Sequence, residues 1–358
     1  MTIKLIASNV GRLQELNFVT GIQRVSLELH KYIFQNLDKS RYQFKAYPEF
    51  NSDSPPIKSN NPDILTDPIM QCSRANLEEV STLLLFDFDE NLDFNKISKA
   101  KISHNLKVVT NIYDLLPLSN PEWFPSENSR HQFAAWLIKV LNVSDHLIFN
   151  SNSTLQQFQD LGWTSKARNH VFQLGAMNSV NIAPTFISPS KTIICVSTLE
   201  PRKGHVELLN AYDQLLEKDK DFKLILVGRN GWKAEELTQR IYSHSEYGKR
   251  LRWYKTIQDD ELFSLYRSST VCVMPSFGEG FGLSIEEALS IGIPVIARDI
   301  PVFKERYYSN LHYFKDGANH LADQILKISG EECVFPLPSI RKMSDFGAEV
   351  LSLIDSIN

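Results

Sequence analysis

The sequence predicts an α/β protein of two domains, each a parallel sheet covered by helices. Three observations predict it. The chain has 358 residues, more than one hydrophobic core usually covers. Both halves alternate short apolar runs with stretches of helical period, the pattern of β–α units joined by crossovers. Between them residues 175–190, GAMNSVNIAPTFISPS, are polar, prolyl and without period, as expected of an interdomain linker. The expected organisation is a first domain over 1–174, the linker over 175–190, a second domain over 191–340, and a terminal helix over 341–358 that packs back on the first.

In the first half, Ile3–Ala7 reads as a buried strand. Thr20-Gly21 opens a helix whose apolar stripe includes Ile22, Val25, Leu29 and Ile33. A strand, a loop and a helix that begins at a glycine form a possible phosphate cradle. The full G-x-G-x-x-G is missing, and most such units bind nothing. Residues 48–68 are rich in Pro, Ser, Asn and Asp and read as a surface loop. Leu83–Phe86 and Val108–Ile112 read as strands with a helix between them. Asp87-Phe88-Asp89 has the D-x-D form of a metal site, but carboxylates at a strand end more often cap a turn, so no metal ligand is assigned. Tyr113-Asp114 follows a strand directly, at the end that borders the crevice of an open α/β sheet; Asp114 reads equally as a cap or turn residue. The segment LPLSNPEWFP places Trp123 and Phe124 among prolines, as an aromatic loop for a sugar acceptor or, more often, as a packed-down loop. Gln132–Leu141 is an amphipathic helix, Leu147–Asn150 a strand, and Ser151–Ser153 caps the next helix; Val171–Leu174 ends this half.

Thr192–Ser197 opens the second alternation. Leu199-Glu200-Pro201-Arg202-Lys203-Gly204-His205 follows, then a helix through Leu216. Arg202 and Lys203 lie after a strand and before a helix, where they suit a diphosphate; the same pair reads equally as a solvated basic turn. Lys223–Val227 and Leu251–Tyr254 are strands, and Gln258–Arg267 a helix. Val271–Met274 then leads into SFGEGFGLSIEEALSIGIPVI. Its alternating Gly278, Gly280 and Gly282 favour positive φ and close backbone approach, and a helix starting near Leu283 aims its N–H groups into the loop, a generic anion site. Glu279 and Glu287 flank it. Carboxylates do not bind phosphates, so these two suit sugar hydroxyls, with Glu287 sharing a face with Leu283 opposite Ile285, Ala288 and Leu289. Pro294–Ala297 is a further strand, and Ala318–Ile328 and Met343–Ile357 are late helices.

Composition narrows the function class. A net charge of −4 argues against a nucleic-acid binder. The four cysteines, Cys72, Cys195, Cys272 and Cys333, have no metal-ligand or disulfide spacing. MTIKLIASN is too soon polar for a signal peptide, and no window approaches 18 apolar residues, so a cytoplasmic protein with at most peripheral membrane contact is expected.

The segment EGFGLSIEEALSIGIPVI resembles the E-x7-E signature of the retaining glycosyltransferases of GT-B fold, family 4, and LEPRKGH resembles their diphosphate-binding turn. LILVGRNGW, the aromatic strand and DDELFSLYRSS follow the same order; TGIQRV resembles the N-terminal glycine loop, and YDLLPLSNPEWFP the acceptor-side segment of polysaccharide and O-antigen mannosyltransferases. The likeness runs from about residue 20 to 305 and is most specific in the C-terminal block. It implies two Rossmann-like domains facing across a cleft. It further implies transfer of a hexose, with retention and without a metal or cofactor, from a nucleoside-diphosphate sugar to a sugar hydroxyl of a growing, lipid-linked surface glycan. GDP-mannose is the donor it favours, with UDP- or dTDP-sugars next. By the same resemblance Arg202 and Lys203 neutralise the diphosphate, and backbone amides of Gly280, Phe281, Gly282 and Leu283 hold the transferred sugar and phosphate. Glu279 takes sugar hydroxyls and orients the donor, Glu287 the ribose hydroxyls, and Gly21 approaches the phosphates. Tyr113 and Trp123 fall on the acceptor side. Two departures stand out: the first loop has Thr20-Gly21 where the family often has paired glycines, and Tyr113-Asp114 stands where it often has His-Asp, which leaves the histidine's role open between Asp114, which could assist as base, and Tyr113. A sugar-nucleotide epimerase or hydrolase, and a non-catalytic nucleotide-sugar-binding subunit, are the alternatives on the same donor site.

Overall fold

A computed structural model describes residues 3–9, 21–47, 76–177, 191–307, 311–315, 317–330 and 341–358. The expected loop at 48–68, Thr20, most of the expected linker, Cys72 and Cys333 lie outside the described residues. The chain divides into two compact units: residues 1–118, 130–177 and 341–358, and residues 119–129 and 178–340.

The first unit contains β1 (Lys4–Asn9), α1 (Gly21–Asn36), β2 (Tyr42–Tyr47), β3 (Val80–Leu85), α2 (Phe94–His104), β4 (Lys107–Ile112), α3 (Leu116–Ser119), α4 (Glu127–Val143), β5 (His146–Phe149), α5 (Asn152–Asp160) and β6 (Arg168–Val171). Its sheet has the order β2-β1-β3-β4-β5-β6 and is parallel throughout. Strands covered on both faces explain the near-continuous apolar runs, such as the fully buried Val108 and Val109. The α1 stripe is buried at Val25, Leu29 and Ile33. Asp93 caps α2 by accepting from the amides of Asn95 and Lys96, and Ser151 caps α5 by accepting from Thr154. β2 carries no continuous apolar run, because at the sheet edge Tyr42, Phe44 and Ala46 are buried while Gln43 is exposed. The sequence reading leaves it unassigned for that reason.

The second unit contains β7 (Thr192–Val196), α6 (His205–Lys218), β8 (Lys223–Val227), α7 (Glu235–Ser243), β9 (Leu251–Tyr254), α8 (Asp259–Ser268), β10 (Val271–Met274), α9 (Leu283–Ile291), β11 (Val295–Arg298), α10 (Pro301–Tyr307), β12 (His312–Phe314) and α11 (Ala318–Gly330). The sheet order is β12-β11-β10-β7-β8-β9, again parallel. Successive strands after β7 run one way to β9, and those from β10 run the other way to β12. The order therefore reverses between β7 and β10, and an open α/β sheet offers its binding crevice at the carboxyl ends of such a pair. Unassigned in the sequence reading were α7, α10 and β12. They are short: α7 shows only the pair Leu237 and Ile241 on its buried face, and β12 is a three-residue edge strand.

The final helix, α12 (Met343–Ile357), belongs to the first unit. Gly347 lies against α1 so closely that a Cβ there would sit 2.3 Å from Tyr32 Cδ1. Phe346 meets Phe86 edge-on at 6.3 Å between ring centroids, and Arg341 Nε donates to Gln173 O at 2.7 Å. Residues 119–129, placed in the first domain by the sequence reading, group instead with the second unit. Phe124 stacks on Trp232 at 5.9 Å, and Trp232 Nε1 donates to Trp123 O at 2.7 Å.

Candidate active site

Two loops leave the carboxyl ends of β7 and β10 side by side. The β7 loop makes a single helical turn at Pro201–Lys203 and ends at Gly204, whose φ is +69°. A Cβ on Gly204 would lie 2.2 Å from Pro275 O, so this contact admits only glycine. Phe277 N donates to Arg202 O at 2.7 Å and joins the loops further along. Ser284 Oγ, in the first turn of α9, donates to Val196 O at 2.8 Å and fixes the helix start over the end of β7. Of the three glycines expected to take positive φ, only Gly282 does, at +101°. It is the N-cap of α9, has no side chain with which to cap, and sits where a Cβ would approach Phe303 Cε1 to 2.7 Å. Gly278 and Gly280 make the loop without left-handed backbone. Phe281 is buried behind them and Leu283 half-buried at the first helical position.

Arg202, Lys203 and Glu279 meet in this loop pair. Arg202 Nη1 donates to Glu279 Oε2 and to Gly278 O, both at 3.0 Å. Lys203 Nζ donates to Glu279 Oε1 at 2.6 Å. Arg202 Nε is 2.7 Å from Glu200 Oε1, and Glu200 itself is buried. Burial pushes the Glu279 carboxyl up, but the charges of Lys203 and Arg202 outweigh it and hold the group at about 2. The cluster is thus ionised, largely desolvated and electrically balanced: two cations, two carboxylates. The sequence reading gives the cations to a diphosphate and Glu279 to hydroxyls; in this structure Glu279 holds both cations.

Glu287 lies one turn into α9, buried, within 3.4 Å of Tyr266 Oη. Both faces of α9 are covered, since every residue from Ile285 to Ile291 is buried. Glu286, which the sequence reading passed over, pairs with Arg306 Nε at 3.1 Å and Tyr307 Oη at 2.9 Å. Arg298, at the end of β11, was also passed over. It is 4 % exposed, donates from Nε to Pro275 O at 3.0 Å, pairs with Glu207, and lies 3.9 Å from the centroid of Phe277. Its signal in the sequence, a lone arginine ending an apolar strand, is the buried polar kind that calls for a partner. His205 opens α6 with Nε2 3.2 Å from Ser197 Oγ, and burial holds it at about 3.

On the first unit, Gly21 begins α1 and is exposed. Asp114 is half-buried and accepts from Leu116 N at 3.1 Å, the cap-like geometry that the sequence left open beside a catalytic role. Tyr113 donates its hydroxyl to Phe86 O at 2.8 Å; burial first, and then the charge of Asp87, push that hydroxyl well above its ordinary range. Asp87 accepts from Gln23 Nε2 and from its neighbouring amide Phe88 N, and Asp89 from Asn9 Nδ2 and Asn91 N, so both carboxylates tie β1, α1 and the β3 loop together. Trp123, on the 119–129 segment, is half-buried with its ring 6.4 Å from Phe277. No cluster of three or more His, Cys, Asp or Glu side chains suited to a metal occurs among the described residues, and no described helix is long and apolar enough to cross a membrane.

Comparison with known proteins shows what this arrangement is similar to. Residues 181–334 match the family model described as glycosyl transferases group 1. The serotype-specific mannosyltransferase WbdA of Escherichia coli is 34 % identical over 228 residues, which are 58 % of this chain and 28 % of that protein. The O-antigen chain mannosyltransferase B of Escherichia coli is 29 % identical over 221 residues, 57 % of this chain and 56 % of that protein. The chain thus spans between about a quarter and a little over half of the length of these curated relatives. Among solved structures, Anabaena HepE in complex with UDP and glucose aligns over 100 % of this chain and 97 % of its own, with a TM-score of 0.64 at 16 % identity. Sucrose-phosphate synthase of Thermosynechococcus elongatus aligns over 99 % and 96 %, with a TM-score of 0.62 at 16 % identity. At that identity the likeness is one of fold. Residues 181–334 are therefore similar to the group 1 glycosyltransferase domain, in a chain with the fold of GT-B glycosyltransferases.

Proposed function

We propose that this protein transfers a hexose, with retention of configuration, from a nucleoside-diphosphate sugar to a sugar hydroxyl of a growing, lipid-linked surface glycan, and that the donor is GDP-mannose. The observation that carries the reading is the convergence of Arg202, Lys203 and the N-terminus of α9 at the strand-order reversal between β7 and β10. A leaving diphosphate gains negative charge as the glycosidic bond breaks. Arg202 and Lys203, with the donor diphosphate bound on them, and the amides of Gly280, Phe281, Gly282 and Leu283 stabilise that charge as it develops, and electrostatic stabilisation of this kind is usually the largest contribution to catalysis. Glu287 takes the ribose hydroxyls and Glu279 those of the transferred sugar. The leaving phosphate oxygen accepts the acceptor proton on the front face, or Asp114 does so as base, with Tyr113 and Trp123 on the acceptor side. The names of the mannosyltransferase relatives support mannose as the hexose; the UDP complexes among the fold neighbours make UDP-sugars the competing donors. Acceptor on a lipid carrier implies peripheral contact with a membrane.

One experiment tests the set. Purified protein is screened by thermal shift with GDP, UDP and dTDP, and the preferred sugar donor is then assayed with wild type, Lys203→Ala, Glu287→Ala and Asp114→Asn, with and without EDTA. Lys203→Ala is expected to lose at least about 99 % of transfer, since a single donor aimed at a developing oxyanion contributes ~2.7–4 kcal/mol, and Glu287→Ala to lose most transfer through the missing acceptor for the ribose hydroxyls. Near-wild-type turnover in both would overturn the site assignment. Unchanged transfer by Asp114→Asn at saturating acceptor would remove the base role.

A further inference from the structure

The Glu279 carboxylate stands where the proposed function puts a phosphate. Its two oxygens accept from Arg202 Nη1 at 3.0 Å and Lys203 Nζ at 2.6 Å, the distances and charge-assisted geometry that a phosphate oxygen would adopt on the same donors. The ion pairs are well shielded: the side chains of Arg202, Lys203 and Glu279 are 16 %, 13 % and 9 % exposed. Glu200 holds Arg202 from the other side, through Nε, and so leaves the Nη1 edge facing Glu279. With both carboxylates in place the loop pair carries no net charge. An incoming diphosphate therefore meets no net positive charge on these side chains until Glu279 withdraws.

We infer that Glu279 is an internal competitor for the donor diphosphate: it holds Arg202 and Lys203 in the donor-free protein and must be displaced from them for a nucleoside diphosphate to bind. This rests on the donor-site reading given above. It joins two roles in one residue. The carboxylate first keeps two cations from repelling each other in a site of low dielectric. Once a diphosphate replaces it on those cations, its oxygens are free to accept hydrogen bonds from hydroxyls of the sugar that arrives with the diphosphate. Glu200 does not exchange in this way, being buried behind Arg202 at 3 % exposure. The consequence is a trade: the wild-type site gives up affinity for the diphosphate, substrate and product alike, and so releases product more easily.

The trade is measurable, and its sign is unusual for a residue that touches substrate. Inorganic pyrophosphate, GDP and UDP are titrated calorimetrically into wild type, Glu279→Gln and Lys203→Ala at one ionic strength. Glutamine keeps the size of the side chain and removes its charge. Glu279→Gln is expected to bind pyrophosphate and the preferred nucleoside diphosphate about tenfold more tightly than wild type, and Lys203→Ala at least about tenfold more weakly. Transfer by Glu279→Gln falls at the same time, because the sugar hydroxyls lose a charged acceptor. A variant that only loosened the fold would lose affinity, so tighter binding cannot arise from damage. Binding by Glu279→Gln that is equal to or weaker than wild type, with Lys203→Ala weakened, overturns the competitor role and leaves the donor site standing. Pyrophosphate binding indifferent to Lys203→Ala overturns the donor site and the inference together.

Discussion

Arg298→Met should be among the most damaging single substitutions in the second unit, although no motif contains Arg298. The guanidinium is 4 % exposed, and its polar commitments include the Nε donation to Pro275 O at 3.0 Å and the ion pair with Glu207. It also lies between two rings, 3.9 Å from the centroid of Phe277 and 4.9 Å from that of Phe314. Methionine fills much of the same apolar space and removes the charge. What remains is a Glu207 carboxylate, 15 % exposed, that has lost its counter-charge and keeps the Gly317 amide as a donor, and a Pro275 carbonyl without its guanidinium donor. Breaking a buried pair from one side costs about 3–5 kcal/mol. Amide exchange of β7 and β10 reads the opening of this unit by itself, which a global melt of a two-unit protein does not. At about 1.4 kcal/mol per factor of ten, the core amides should exchange roughly a hundredfold to a few thousandfold faster than in wild type. Adding Glu207→Gln removes the stranded charge, so the double variant should exchange more slowly than Arg298→Met alone. Acceleration below tenfold, or a double variant no better than the single, would refute the claim that Arg298 anchors the β10 loop by its charge.

Two further outcomes follow from the coordinates. Gly204 and Gly248 both have positive φ, +69° and +79°, but a Cβ meets Pro275 O at 2.2 Å at Gly204 and nothing within 4 Å at Gly248. Each alanine variant carries the left-handed backbone cost of about 1–2 kcal/mol; Gly204→Ala should cost clearly more in core amide exchange and should weaken pyrophosphate binding, and equal effects would sink the steric account. Acid should weaken both units below pH 6.5, because His30 and His205 are buried, and that burial holds each at about 3. The unfolded chain takes up these protons near its ordinary 6.5 while the folded chain does not, so stability falls with falling pH between 6.5 and 3, by up to about 1.4 kcal/mol per unit for each histidine; urea denaturation showing no loss between pH 7 and pH 5 would contradict it.

The fold was legible where burial leaves a strong pattern. Val271–Met274, Lys223–Val227 and Leu251–Tyr254 are strands with the boundaries read from sequence, since each is a compact run stopped by the residue after it, Pro275, Gly228 and Lys255. Strands β2 and β12 were not legible, since β2 has no continuous apolar run and β12 is three residues long with one of them buried. Nor was the membership of residues 119–129. A Pro- and Trp-containing segment can pack on either unit, and only the rings of Trp232 and Phe277, more than a hundred residues away, determine which.

The site was legible in its parts and not in its pairing, and the reason is topological. Arg202 and Lys203 were readable because two cations stood after a strand and before a helix; Glu279 and Gly282 because they stood before the next such helix. Yet 76 and 77 residues separate Glu279 from its two partners. Sequence spacing governs contacts within a helix or a turn, and has no say over which strands lie side by side. That neighbour relation comes from the reversal of strand order, which puts β10 beside β7 although β8 and β9 intervene in the chain. Once the two strand ends are adjacent, electrostatics decides the rest. Two cations on the loop that Gly204 fixes against Pro275, both largely shielded from solvent, call for counter-charge, and Glu279 supplies it to both. A residue that the sequence places beside a ligand is, for that same reason, the group that occupies the ligand's position before it arrives.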